Sequence, residues 1–226
     1  MYFKINISDQ IKQACPEFRA GIICANVTNS RENLLLWGEI TEESEQLKQS
    51  FSLEQINRRP SILATRNAYK RTGKDPNRYR PSAEALTRRI VRNLGLYRIN
   101  TLVDLINLVS LRSGYSIGGF DAEKIAGKEL TLGIGQAGEL FHGIGRGPLN
   151  IEGLPVYRDA VGGIGTPTSD EERTKITLDT RKILIIINSY GTDKELLETT
   201  IYTENLLKRF ADANHIEHQI IPEHMD

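Results

Sequence analysis

The chain has 226 residues, 39% hydrophobic and 26% charged, with a formal net charge of zero. That is enough chain to bury a sizeable core. It is too neutral overall for a uniformly nucleic-acid-coating protein, and its longest apolar run, Ile183 to Ile187, is far too short to span a bilayer. The charge is unevenly spread. Arg58 to Arg98 holds twelve Lys or Arg against Asp75 and Glu84, a local balance of +10, which leaves −10 for the rest. One face therefore suits an anion. Two cysteines, Cys15 and Cys24, are too few for a disulfide framework and lack metal-ligand spacing. With no signal-peptide pattern in Met1 to Asp9, the expected location is a reducing cytoplasm.

In chain order, Tyr2 to Ile7 and Arg19 to Val27 alternate as strands. Thr41 to Arg59 and Ile62 to Arg71 predict helices, separated at Pro60, and Gly73, Asp75 and Pro76 predict a loop. Ser82 is the expected N-cap of a helix reaching about Asn93, closed by Gly95. Asn100 is expected to cap the next, with Leu102, Val103, Leu105, Ile106 and Val109 facing a core, and with Gly114 and Gly118-Gly119 ending the stretch. Glu129 to Ile134 and Leu140 to Phe141 read as short strands, Gly143 to Gly147 as a hairpin, and Ile176 to Asn188 as one or two buried strands. Asp193 to Ala213 predicts an amphipathic helix and His215 to Ile221 a last strand. With no linker or repeat, the expected architecture is a single α+β domain over 1–226. His215 and His218 fall on opposite faces of that strand and His224 beyond it, so no metal site is predicted; no cofactor motif is present either.

Lys70, Arg78, Arg80, Arg88 and Arg89 are the candidate phosphate contacts, with Tyr69 and Tyr79 as flat faces for bases. A solvated face tied by internal ion pairs explains the same residues equally well. The second informative stretch, Asp159 to Thr174, carries Gly162, Gly163 and Gly165, whose backbone can approach a ligand closely, then Thr168, Ser169, Asp170 and Arg173. That set could recognise an amino acid or its ester, or could be a wide turn tied to a sheet.

The run Tyr69-Lys70, Gly73, Asp75-Pro76, Arg78-Tyr79-Arg80-Pro81-Ser82, Glu84 and Arg88-Arg89 resembles free-standing relatives of the B3/B4 module of the phenylalanyl-tRNA synthetase β chain. Asn100 to Asn107, Gly114, Phe120-Asp121, Ile125 and Gly138-Glu139 resemble the module's I-x-x-V-D-x-x-N, glycine, F-D and G-E pattern. The resemblance covers roughly Asn57 to Leu184. It implies a B3/B4-like α+β fold with a sheet-lined pocket and flanking helices, and tRNA or another RNA as partner. Where bacterial synthetases place a histidine before F-D this chain has Gly118-Gly119, and no glutamate interrupts Ile183 to Ile187. The expected ligand pocket gathers Asn107, Gly118, Gly162, Gly163, Asp170 and Arg173. Two functions fit. One is a trans-acting hydrolase of mischarged aminoacyl-tRNA, an ester hydrolase rather than a complete tRNA ligase. The other is a non-catalytic module binding a small amino-acid-like ligand.

Overall fold

A computed structural model describes residues 3–191 and 194–222. In chain order the elements are β1 (Lys4–Ile7), α1 (Asp9–Ala14), β2 (Arg19–Asn26), α2 (Leu34–Ser50), α3 (Pro60–Thr72), α4 (Ser82–Val91), α5 (Thr101–Ser113), β3 (Ser116–Asp121) and β4 (Glu129–Ile134). There follow β5 (His142–Gly143), β6 (Gly147–Pro148), β7 (Pro155–Arg158), β8 (Gly163–Gly165), β9 (Lys182–Ser189), α6 (Leu196–Phe210) and β10 (Asn214–Ile221). This is an α+β fold.

The strands make two four-stranded sheets, β10-β2-β9-β3 and β1-β4-β7-β8, with β5-β6 a separate ribbon. The first sheet is antiparallel throughout. In the second, β1 runs parallel to β4 and the other pairs are antiparallel. The apolar run in β9 is explained by layering. Ile183, Ile185 and Ile187 pack with Ile23, under Leu105 and Val109 of α5 and Leu206 and Leu207 of α6. Their alternates Leu184 and Ile186 pack with Ile22, against Leu130, Leu132 and Tyr157 of the second sheet. A strand covered on both faces reads as continuous hydrophobicity rather than alternation. The order is helices, sheet, sheet.

Several boundaries differ from those expected. The helix expected over Thr41 to Arg59 runs from Leu34 to Ser50, because Asn33 caps it through Oδ1 to the amides of Leu35 and Leu36 at 3.1 Å. Ile56 to Arg58 is a separate 3₁₀ turn. Ser82 is the first helical residue rather than the cap; its amide donates to the Pro167 carbonyl at 2.8 Å. Gly118 and Gly119 do not end a helix but lie in β3, while Gly114, at φ 76°, closes α5. Leu140 and Phe141 are not a strand, and the 143–147 turn is the expected hairpin. From Ile176 to Arg181 the chain turns, and only Lys182–Ser189 is strand. Asp193, expected to begin the last helix, lies outside the described residues, as does His224; α6 begins at Leu196.

Arg58 to Arg98 is fastened to this body, where the Lys74 ammonium donates to the Asn150 and Glu152 carbonyls at 2.8 and 2.6 Å. Glu84, fully buried, receives Arg66 and Arg88, each at 2.8 Å, which joins α3 to α4. Among the described residues no helix is long and apolar enough to cross a membrane, and no cluster of three or more His, Cys, Asp or Glu could hold a metal ion.

Candidate functional site

Helix α5 exists because Asn100 accepts from the Val103 amide at 3.0 Å at one end and Gly114 adopts the left-handed conformation at the other. Between these caps Leu105 and Val109 face the helix–sheet core, while Val103, Ile106, Asn107 and Ser110 line a cavity of about 430 Å³. Its remaining walls come from α4, Ile99 just before α5, β3, the 143–147 hairpin and the segment from Thr166 to Ile176. The walls are aliphatic, supplied chiefly by Leu86, Val103, Ile106, Ile117, Ile144 and Ile176. Five of these six are β-branched, so the cavity has stiff sides.

Against this apolar lining stand a few polar groups. Asp170 reaches the open edge of β3, where its Oδ2 accepts the Gly119 amide at 3.0 Å. The carboxyl fits because Gly165 has no side chain, and Gly118 and Gly119 are bare for the packing of Phe120 and Ile106 beside it. A Cβ on Gly165 would come within 2.8 Å of Asp170 Oδ1 and 2.6 Å of the Phe120 ring. A Cβ on Gly118 would meet the same ring at 2.7 Å, and one on Gly119 would strike the Ile106 tip at 2.5 Å. Burial pushes the Asp170 carboxyl up to about 7, opposed only by the Gly119 hydrogen bond. Neither its Oδ1 nor the Asn107 carboxamide has a hydrogen-bond partner among the described residues. Lys175, the other charged residue on the wall, is paired with Glu172.

Of the pocket residues expected from the sequence, Asn107 and Asp170 line this cavity, while Gly118 lies in β3 beside the wall residue Gly119 without lining it. Gly162, Gly163 and Arg173 do not line it. The Arg173 guanidinium grips Asp159 with two hydrogen bonds, of 2.9 and 3.0 Å, and the Gly162 amide donates to the same carboxylate at 3.1 Å. Gly163 is bare because the Phe141 ring would lie 2.9 Å from its Cβ. Thr168, also singled out, shares a buried hydrogen bond with Tyr69 at 2.9 Å, so that tyrosine has no face for a base.

The acids of the family-like pattern hold the scaffold. Asp104 accepts the Trp37 indole N–H at 2.8 Å and the Ile99 amide at 3.1 Å, fixing another wall residue; burial raises its carboxyl despite these bonds. Asp121 accepts from the Thr180 hydroxyl at 2.9 Å, and Glu139 forms a two-point pair with Arg158. The wall residues Leu86, Ile99, Ile117, Ile144 and Ile176 gave no sequence signal, because isolated aliphatics look the same in a core and around a cavity.

The basic segment divides into two groups. Arg88 is tied to Glu84 and to the Leu53 carbonyl at 3.1 Å. Arg89 lies 4.0 Å over the Tyr97 ring and donates to the Leu94 carbonyl. Lys74 covers one face of Tyr79 at 3.7 Å, with Arg78 at 5.7 Å from the same ring. Lys70, Arg78 and Arg80 remain exposed, without an ion pair among the described residues. A second, larger cleft of about 570 Å³ holds Arg58, Arg59 and Lys194, but the Arg59 guanidinium is committed to Thr87 and the Arg112 carbonyl.

No curated protein matches the chain. Among solved structures it is similar to an N-terminal fragment of the phenylalanyl-tRNA synthetase beta-subunit from Pyrococcus horikoshii, with a TM-score of 0.48 and 14% identity. That match covers 97% of this chain and 54% of the fragment, so the chain spans about half the length of that neighbour. The sequence matches the B3/4 domain over residues 64–205, more than half of the chain and all of the residues that line the cavity. The chain belongs to the B3/4 domain family.

Proposed function

We propose that this chain takes the aminoacyl group of a charged tRNA into the cavity between α5 and the 166–176 segment and hydrolyses its ester bond. The observation that carries this reading is a stiff aliphatic cavity whose wall bears one carboxyl and one carboxamide with unused hydrogen-bonding capacity, Asp170 and Asn107. Aliphatic walls suit an acyl group with an aliphatic side chain, and the two polar groups suit its carbonyl oxygen and a water beside it. An aminoacyl ester is already activated, so a positioned water and a donor to the carbonyl oxygen are sufficient chemistry. Lys70, Arg78 and Arg80, exposed on and after α3, supply the charge for the RNA backbone.

The test is a deacylation panel of aminoacyl-tRNAs with the purified chain. Cleavage of one or more tRNAs carrying aliphatic amino acids, ahead of those carrying aromatic ones, is the expected result; an inert panel overturns the reading. The second reading, a non-catalytic module for a small amino-acid-like ligand, is favoured by the internal commitment of Arg88 and Arg89, which shrinks the RNA-facing charge. Under it, free amino acids bind in calorimetry and no ester is cleaved.

A further inference from the structure

We propose that Asp170 is the general base of this site, taking the proton from the water that attacks the bound ester. The inference rests on the hydrolytic reading above and goes beyond it by assigning the chemistry to one side chain. Three observations support it. The carboxyl lines the cavity, with one oxygen pinned to the Gly119 amide at 3.0 Å and no donor on the other among the described residues. It is seated by an absent side chain: a Cβ on Gly165 would come within 2.8 Å of its Oδ1. No cation neutralises it. Around it, β3 and β8 present glycines and the Phe120 ring, α5 presents Ile106, Asn107 and Ser110, and the wall's lysine is paired with Glu172. On its own segment, Glu171 caps the Arg173 amide, and the Arg173 guanidinium turns to Asp159. A carboxyl so placed has an affinity for protons near neutrality, where a general base works best.

The step balances without any further reagent. The water oxygen bonds to the ester carbonyl carbon, its proton passes to an Asp170 carboxylate oxygen, and the carbonyl electron pair moves onto the carbonyl oxygen. The Asn107 carboxamide is the cavity's free N–H donor to that oxygen. When the tetrahedral adduct collapses, the bond from carbon to the ribose oxygen breaks. The proton on Asp170 then moves to that oxygen, so the free amino acid and a ribose hydroxyl leave and the carboxylate is restored.

The simpler alternative is that Asp170 only caps the open edge of β3, a task that asparagine's carbonyl oxygen does equally well. Kinetics on the full chain, with whichever aminoacyl-tRNA the panel identifies, separate the two. Asp170→Asn is expected to lower kcat by about 10²- to 10⁴-fold with KM changed by less than about threefold. The wild-type kcat/KM is expected to rise with pH and level off above about 7, a limb absent from the Asn variant. Asp170→Glu, which restores a carboxylate, is expected to recover part of kcat and the pH limb. An Asn variant of unchanged kcat, or one that loses activity through KM alone, or one that keeps the pH limb, overturns the assignment while the hydrolytic reading stands. A folded wild type that cleaves nothing overturns both.

Discussion

Replacing Asp170 by asparagine should make the protein more stable, and increasingly so as pH rises. The carboxyl's affinity for its proton is displaced by burial from 3.8 to about 7. Between those values the unfolded chain has released this proton while the folded chain still holds it. The unfolded state binds fewer protons there, so this residue makes stability fall as pH climbs through the window. Below about pH 4 the penalty is absent, and above about pH 7 it is complete. A displacement of roughly three pH units at about 1.4 kcal/mol each gives a ceiling of about 4 kcal/mol, and partial exposure of the residue at the cavity wall brings the expectation to about 2–4 kcal/mol. Asparagine keeps the acceptor for the Gly119 amide and does not titrate. For a chain of this length each kcal/mol moves Tm by about 2–4 °C, so Asp170→Asn should melt with the wild type near pH 4 and about 4–16 °C above it at pH 8. Thermal melts of both proteins in matched buffers across that range read the difference directly, and titrations common to both cancel. Parallel Tm curves from pH 4 to 8 would refute the claim that this carboxyl is held in an apolar wall without a counter-charge.

Glu84→Ala should cost about 3–5 kcal/mol in urea denaturation, since it strands the Arg66 and Arg88 guanidinium groups around an emptied, fully buried position. Gly165→Ala should cost about 1–3 kcal/mol, because its methyl meets the Phe120 ring at 2.6 Å and Asp170 at 2.8 Å; Gly38→Ala in α2, which meets nothing within 4 Å, should instead gain about 0.5–1 kcal/mol. In RNA titrations at several salt concentrations, Lys70→Ala, Arg78→Ala and Arg80→Ala should each flatten the log–log slope by about 0.7. Arg88→Ala should instead lower Tm and leave the slope unchanged, because its guanidinium serves Glu84 and Leu53.

The family and much of the fold were legible in the chain itself. The B3/4 resemblance rested on the order of short motifs, and the acids of those motifs hold the scaffold: Asp104 holds Trp37 and Ile99, Asp121 holds Thr180, and Glu139 holds Arg158. Such contacts fix residue type at fixed spacing, so they leave a linear signature. The Asn100 cap, the Gly114 terminus and the 143–147 hairpin were equally local, since caps and tight turns depend on a few neighbouring residues. The cavity was only half visible. Asn107 and Asp170 could be picked out as polar residues in suggestive company, but Arg173 and Gly162 in the same stretch turn to Asp159, and Gly163 packs on Phe141. Which way a side chain turns depends on partners far away in sequence. The pairing of the Asp170 carboxyl with the Gly119 amide, 51 residues apart, exists only once β3 is the edge of its sheet. The fate of the basic segment was decided the same way. Composition gave its charge, but only the packing of α3 against α4 around Glu84 spends Arg66 and Arg88 inside the fold and leaves Lys70, Arg78 and Arg80 facing water.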